Sequence, residues 1–150
     1  MKLKNACTLD VVSCKGQSSI FEAAKQMRDH HVGNLVVIED DEDQPLPVGI
    51  LTDRDIVVGV VSKNLDPMTT SVASVMSKPV VVADEAEDVS DAVARMEVHG
   101  VRRIVITGAH GALIGIFTLD DLLRLNADQA AVPLAVMTKE QRRERSSHRG

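Results

Sequence analysis

Two threonine–aspartate pairs carry the candidate chemistry of this chain. Thr52 and Asp55 stand in GILTDRDI at 49–56, and Thr118 and Asp121 stand in GIFTLDDL at 115–122. Each stretch reads glycine, two apolar residues, threonine, two variable residues, aspartate and an aliphatic. An apolar run that changes character at a threonine or aspartate predicts a buried strand delivering the start of a helix. Such a start presents free backbone N–H groups and a partial positive charge. A hydroxyl and a carboxylate three residues apart then face one mouth. That pairing suits a polar ligand with vicinal hydroxyls and an anionic tail. It also suits a plain helix cap, and duplicated caps would look the same in sequence.

The elements that must position these pairs also come twice. SIFEAAKQMRDHHVGNLVVI (19–38) aligns with DVSDAVARMEVHGVRRIVIT (88–107), placing Met27 on Met96 at an offset of 69 residues. Gly49 falls on Gly115 at an offset of 66, so the second copy has a shorter loop. Upstream, LKNACTLDVVSC (3–14) aligns with VASVMSKPVVVA (72–83). A repeat spanning nearly the whole chain governs the fold. Each half predicts β-α-β-β-α. The first strand is expected at Val11-Val12 or Val80-Val81-Val82. Ser19 with Glu22 has capping-box spacing, and Asp88 is the equivalent cap. The following helix carries the stripe Ile20, Ala23, Ala24, Met27 and His31, or Val89, Ala92, Val93 and Met96. Two strands follow, at Leu35–Ile38 and Val48–Leu51, or Ile104–Ile106 and Leu113–Phe117. The last helix carries Ile56, Val57, Val60 and Val61, or Leu122, Leu123 and Leu125. The expected fold class is α+β (mixed α/β), with the first half at 3–62, a linker at 63–71 broken by Pro67, the second half at 72–126 and an extension at 127–150. Neither half buries its own sheet well, so the two should pack on each other.

Composition narrows the function. The net charge of −5 argues against a nucleic-acid partner, and with only Phe21 and Phe117 aromatic there are no stacking platforms for bases. No apolar run reaches membrane-span length, and no signal-peptide core follows Met1, so a cytoplasmic protein is expected. Cys7 and Cys14 read as reduced, small apolar groups. The acidic run Glu39–Asp43 reads as a solvated hairpin tip, lacking the glycine and spacing of a calcium loop. His30 and His99 read as imidazoles at negative helix ends, so no metal is expected. The polar, basic end of the chain reads as a frayed, partly disordered tail.

The doubled G-h-h-T-x-x-D-[IL] motif, each at the end of a β-α-β-β-α half, resembles a tandem pair of cystathionine-β-synthase (CBS) domains over roughly residues 3–125. The resemblance implies two repeats about a pseudo-twofold axis with two clefts between them. It implies an adenine nucleotide (AMP, ADP or ATP, or an NAD-like ligand) as regulatory ligand and no catalytic cofactor. Carried over, Thr52 and Asp55, or Thr118 and Asp121, would hold phosphate and ribose, with Asp53, Arg54 and Asp120 beside them. Val12-Ser13 and Val81-Val82 would be the adenine-side strands. Adenine would lie between Val12, Val32 and Ile50, or between Val81, Val101 and Ile116. Where the first copy has Gly33-Asn34, the second has Arg102-Arg103, similar to a basic pair that reaches nucleotide phosphate in the family. Arg54 favours an anionic tail and Asp120 repels one, so the clefts should differ, and a dinucleotide could use room left by Gly33.

No P-loop, GxSxG, HExxH or CxxC pair appears, so the chain is not expected to be an enzyme. The leading reading is a stand-alone sensor that signals nucleotide state to an unknown regulated protein. The alternative is a constitutive interaction or assembly module with vestigial clefts. A homodimer is expected, because the helix with Ile56, Val57, Val58, Val60 and Val61 is apolar nearly all round. Coverage of that face by Leu134–Met137 of the same chain is the opposing arrangement.

Overall fold

The computed structural model describes residues 1–129. The tail expected to be disordered and the segment Leu134–Met137 lie outside these residues. The chain is mixed α/β, with two three-stranded sheets of order β1-β2-β3 and β4-β5-β6. The first sheet uses β1 (Ser13–Lys15), β2 (Asn34–Asp41) and β3 (Gln44–Thr52). The second uses β4 (Val82–Asp84), β5 (Arg103–Thr107) and β6 (Leu113–Thr118). Helices α1 (Ile20–His30) and α3 (Val89–His99) connect the first two strands of each sheet. That crossover makes β1–β2 and β4–β5 parallel. Helix α2 starts at Asp53–Ile56 and continues as a π-helical turn, Val57–Val61. Residues 119–129 are helical as α4. Met1–Phe117 form one compact unit, and a second begins at Thr118.

Local chemistry explains most of these elements. Ser19 Oγ accepts from the Glu22 N–H, and the Glu22 carboxylate accepts from the Ser19 N–H, so α1 begins on a full capping box. Asp88 takes the N-cap position of α3 but makes no cap bond. Its carboxylate instead pairs with Lys2 at 3.1 Å, which corrects the expected equivalence with Ser19. Within the expected stripes, Ile20, Ala23, Met27, Ala92 and Met96 are buried. Ala24 and His31 are exposed, and His31 has already left the helix as a left-handed C-cap at φ 54°.

Three of the strands differ from their sequence expectation for physical reasons. The parallel ladders begin at Ser13 and Val82, two residues later than Val11 and Val80. Val11, Val12 and Val80 are apolar because they pack against core residues. β3 runs four residues further upstream than Val48, through Pro45 and Pro47. It is the outer strand of its ladder and is bulged opposite Val37/Ile38, a setting that tolerates proline. The acidic run closes this hairpin, with Glu42 and Asp43 both at positive φ (47° and 68°), as a tight two-residue turn requires.

The two sheets exchange their leading segments. The short 3-10 turn Leu3–Asn5 docks on the second half, where the Leu3 N–H donates to Glu87 O at 3.0 Å. Its counterpart Val72–Ser74 docks on the first half, where the Val72 N–H donates to Ser18 O at 2.9 Å. Val72 is fully buried in the first half's core with Ile20, Leu35 and Leu51. Further along, Thr8 bridges Ile116 of β6 and Ser77 bridges Ile50 of β3. Gly49 and Gly115 exist for these crossings. A Cβ on Gly115 would lie 2.6 Å from Thr8 O, and one on Gly49 would lie 2.6 Å from Met76 Sδ and 3.0 Å from Ser77 O. Between the sheets, Val36, Val105 and Ile116 form a shared apolar core.

Candidate functional site

Thr52 ends β3 in extended conformation and caps α2. Its Oγ1 accepts from the Asp55 N–H at 3.1 Å, and Asp55 Oδ2 accepts from the Thr52 N–H at 2.9 Å. Within the second unit, Thr118 and Asp121 do the same. Asp121 Oδ2 accepts from the Thr118 N–H at 2.9 Å, and Thr118 Oγ1 accepts from the Asp121 N–H at 3.2 Å. Both pairs are therefore capping boxes. Capping does not exhaust them, because each cap uses only Oδ2 of its carboxylate. Asp121 Oδ1 lies 3.9 Å from Arg124 Nη1.

Thr52 opens onto a cleft of about 260 Å³. Ile50 and Thr52 line one side, and the second half supplies Pro79, Val80 and Val81 from the approach to β4, with Val101, Arg102 and Arg103 from the turn into β5. Ser77 lines it where it bridges Ile50, with the Ile50 N–H donating to Ser77 O at 3.1 Å. The lining groups these residues differently from the sequence expectation. Ile50 joins Val81 and Val101, whereas Val12 and Val32 pack against the first half's core and Ile116 lies in the core between the sheets. The exchange of leading segments is the cause, since it carries 77–81 across to β3. Ser13, Asp53, Arg54, Asp55, Val82, Thr118, Asp120 and Asp121 also lie outside this lining. Ser77, Pro79 and Val80 were missed, and the only trace of them in sequence is the glycine at 49 that lets the crossing strand approach.

The strand backbone offers fewer free groups than expected. Val81 O accepts from the Val105 N–H at 3.0 Å, and Val82 O accepts from Arg95 Nη1 at 2.6 Å. In the first half Val12 O accepts from the Val36 N–H at 3.1 Å, and Ser13 O accepts from Gln26 Nε2 at 3.3 Å.

Charge at the cleft comes from the second half. Arg102 is exposed, and Arg103 is half-buried with its Nε buried and unpaired among the described residues. A buried donor without a partner is uncommon and invites an acceptor. Asp53 and Arg54 are exposed, with the Arg54 N–H donating to Asp53 Oδ1 at 2.8 Å. The Asp53 carboxylate stands beside Gly33, where a Cβ would meet its Oδ2 at 3.1 Å. Elsewhere, His99 Nδ1 lies 2.9 Å from Arg95 O. A polar concavity of about 320 Å³ lies between the hairpin tip (Asp41, Glu42, Gln44, Leu46) and His110. Among the described residues no group of three or more His, Cys, Asp or Glu could hold a metal ion. Cys7 and Cys14 form no disulfide, and burial pushes the Cys14 thiol up to about 11.

Two interleaved three-stranded sheets with a doubled threonine–aspartate cap define a paired-repeat module. The sequence profile of the CBS domain matches residues 3–62 and 72–128, and the chain belongs to the CBS-domain family. It is 35% identical over 116 residues to an uncharacterized protein of Methanopyrus kandleri, a match that covers 77% of this chain but only 58% of that protein. It is 34% identical over 122 residues to Hypoxic response protein 1 of Mycobacterium tuberculosis, covering 81% of this chain and 82% of that one. The crystal structure of Hypoxic Response Protein I, with two coordinated zinc ions, superposes with a TM-score of 0.70 at 29% identity over 83% of this chain and 98% of that chain. A CBS domain protein of Pyrobaculum aerophilum, solved in complex with AMP, shares the fold with a TM-score of 0.71 at 24% identity, over 81% and 90% of the two chains.

Proposed function

We propose that the chain is a regulatory module that binds an adenine nucleotide in the cleft between Thr52 and Arg103, and signals its occupancy to a partner protein without acting as an enzyme. The observation that carries this reading is the meeting, in one cleft, of Thr52 with two arginines and an apolar wall of Ile50, Val80, Val81 and Val101. The apolar wall suits a flat base. Thr52 on the cleft wall suits ribose, and Asp55, which lies outside the lining, keeps one carboxylate oxygen that the cap does not use. The guanidiniums suit phosphate. A volume of about 260 Å³ is near the lower end of small-molecule pockets, roughly 300 Å³ and upward, which favours a mononucleotide over NAD. The AMP bound by the Pyrobaculum protein is in keeping with this.

Mass spectrometry of the denatured purified protein tests the ligand class. Retained adenine nucleotide is expected, and no saturable binding of AMP, ADP or ATP by the stripped protein would overturn the reading. Asp55→Ala separates ribose binding from capping. It should lose about 1 kcal/mol of stability as a cap and weaken AMP by roughly tenfold or more as a ribose ligand. Unchanged AMP affinity in a destabilised variant would leave Asp55 as a cap alone.

The module acts as a homodimer through α2 in this reading. Val57, Val58 and Val61 are 56%, 48% and 67% exposed, an apolar surface that solvent does not favour. Light scattering at micromolar concentration should give twice the chain mass of 16.2 kDa, and a monomeric mass would contradict it.

A further inference from the structure

The wall of the cleft formed by Val80 and Val81 runs directly into β4, a short strand paired on one side. β4 (Val82–Asp84) is the outer strand of its sheet and pairs with β5. Val81 O and the Glu85 N–H bond to β5 from either end of β4. Val82 O and the Asp84 N–H lie on the alternate residues and turn to the open edge. There one ion pair meets both. Arg95 Nη1, from α3, donates to Val82 O at 2.6 Å, and Glu87 Oε1 accepts from the Asp84 N–H at 2.9 Å. Arg95 also donates to Glu87 Oε2 and Oε1, at 2.7 and 3.3 Å. Glu87 is itself held, because its backbone oxygen accepts from the Leu3 N–H at 3.0 Å. The pair stands where a further strand would.

Neither residue lines the cleft. We propose that Arg95 and Glu87 are positioning residues for it: together they hold the open edge of β4 and so set where Val80 and Val81 stand against Ile50 and Thr52. This rests on the nucleotide reading above and adds to it what fixes the apolar wall. Val82 and Asp84 are exposed, so water can satisfy both edge groups without the clamp. The side chains of Arg95 and Glu87 are 33% and 28% exposed, and pairs that reach solvent add little stability. What a two-pronged arginine–carboxylate pair adds is a fixed geometry. The first half lacks this clamp. Gln26 stands 69 residues before Arg95 and makes one bond to Ser13 O at 3.3 Å, and Ser18 stands 69 residues before Glu87.

Calorimetric titration of AMP into the full ligand-free chain, with a thermal melt of each variant, tests this. Arg95→Leu should weaken AMP by roughly fivefold or more while lowering the melting midpoint less than Ser19→Ala does. Ser19→Ala, which removes a cap outside the cleft, should leave AMP within about twofold. Arg95→Gln should bring AMP back to within about twofold of wild type, because an amide can reach the strand carbonyl as Gln26 does. Combining Arg95→Leu with Glu87→Ala should cost no more than the larger single loss, since one clamp is broken once. If Arg95→Leu gives no cooperative melt, Glu87→Ala carries the test, because it strips Arg95 of the carboxylate that aims it. AMP affinity unchanged in these two variants, no recovery in Arg95→Gln, or an equal loss in Ser19→Ala would overturn the positioning role and leave the nucleotide reading intact. Wild type that binds no AMP would overturn that reading instead. Backbone amide NMR of the free protein then decides the clamp: Val80 and Val81 should shift in Arg95→Leu and return in Arg95→Gln, and unmoved amides would overturn it.

Discussion

The two halves share a backbone plan and differ at its ends. Repeat-related Gln26 and Arg95 both hold the carbonyl of the residue that opens their sheet, Ser13 and Val82. The crossing bridges Thr8–Ile116 and Ser77–Ile50 are likewise related by the repeat. In contrast, α1 begins on a full capping box and α3 on an uncapped aspartate. Helix α1 ends on a left-handed histidine and α3 on a left-handed glycine. The turn after α1 carries Gly33 against Asp53, and the turn after α3 carries two arginines at a cleft. The scaffold has been kept where backbone meets backbone and has diverged where side chains meet solvent or ligand.

The largest effect should come from breaking the shared plan. Gly115→Ala drives a Cβ to 2.6 Å from a backbone oxygen, and a crossing strand held at both ends has no easy retreat. It should cost about 3 kcal/mol, read as a fall in the denaturant midpoint. Gly49→Ala meets mainly the flexible end of Met76 and should cost less, about 1–2 kcal/mol. Equal costs would mean that Met76 does not yield and that the two crossings resist a Cβ alike.

The helix starts sharpen the contrast at smaller scale. Ser19→Ala removes a formed cap and should cost about 1 kcal/mol. Asp88→Ala removes an exposed ion pair with Lys2 and should cost no more than about 0.5 kcal/mol. The helix ends should move in opposite directions. His31→Gly relieves a left-handed backbone and should stabilise by about 0.5 kcal/mol, while Gly100→Ala should destabilise by about 1 kcal/mol although no atom lies within 4 Å of its Cβ position. Thermal melts of the pair read both signs.

Local features were legible in the sequence and crossings were not. The repeat, the Ser19–Glu22 box and the strand cores around Leu35–Ile38 and Ile104–Ile106 follow from spacing and periodicity within short windows. The family resemblance stated from the doubled motif is confirmed by the CBS-domain match. Which strand faces which motif depends on contacts between residue 50 and residue 77, or 8 and 116, and periodicity carries no record of such pairings. For that reason Ile50 reads in sequence with Val12 and Val32, whereas in the structure it lines a cleft with Val81 and Val101. Asp88 misled because the type of residue at a cap position does not say whether its carboxylate turns to the helix or to a lysine from another segment.

The central claim is that the first half's threonine and the second half's strand and turn make one nucleotide site. Backbone amide NMR during an AMP titration tests it most directly. Saturable shifts are predicted together at Ile50, Thr52, Val80, Val81, Val101, Arg102 and Arg103. An AMP titration that leaves these amides unmoved, or moves those of only one half, would contradict it.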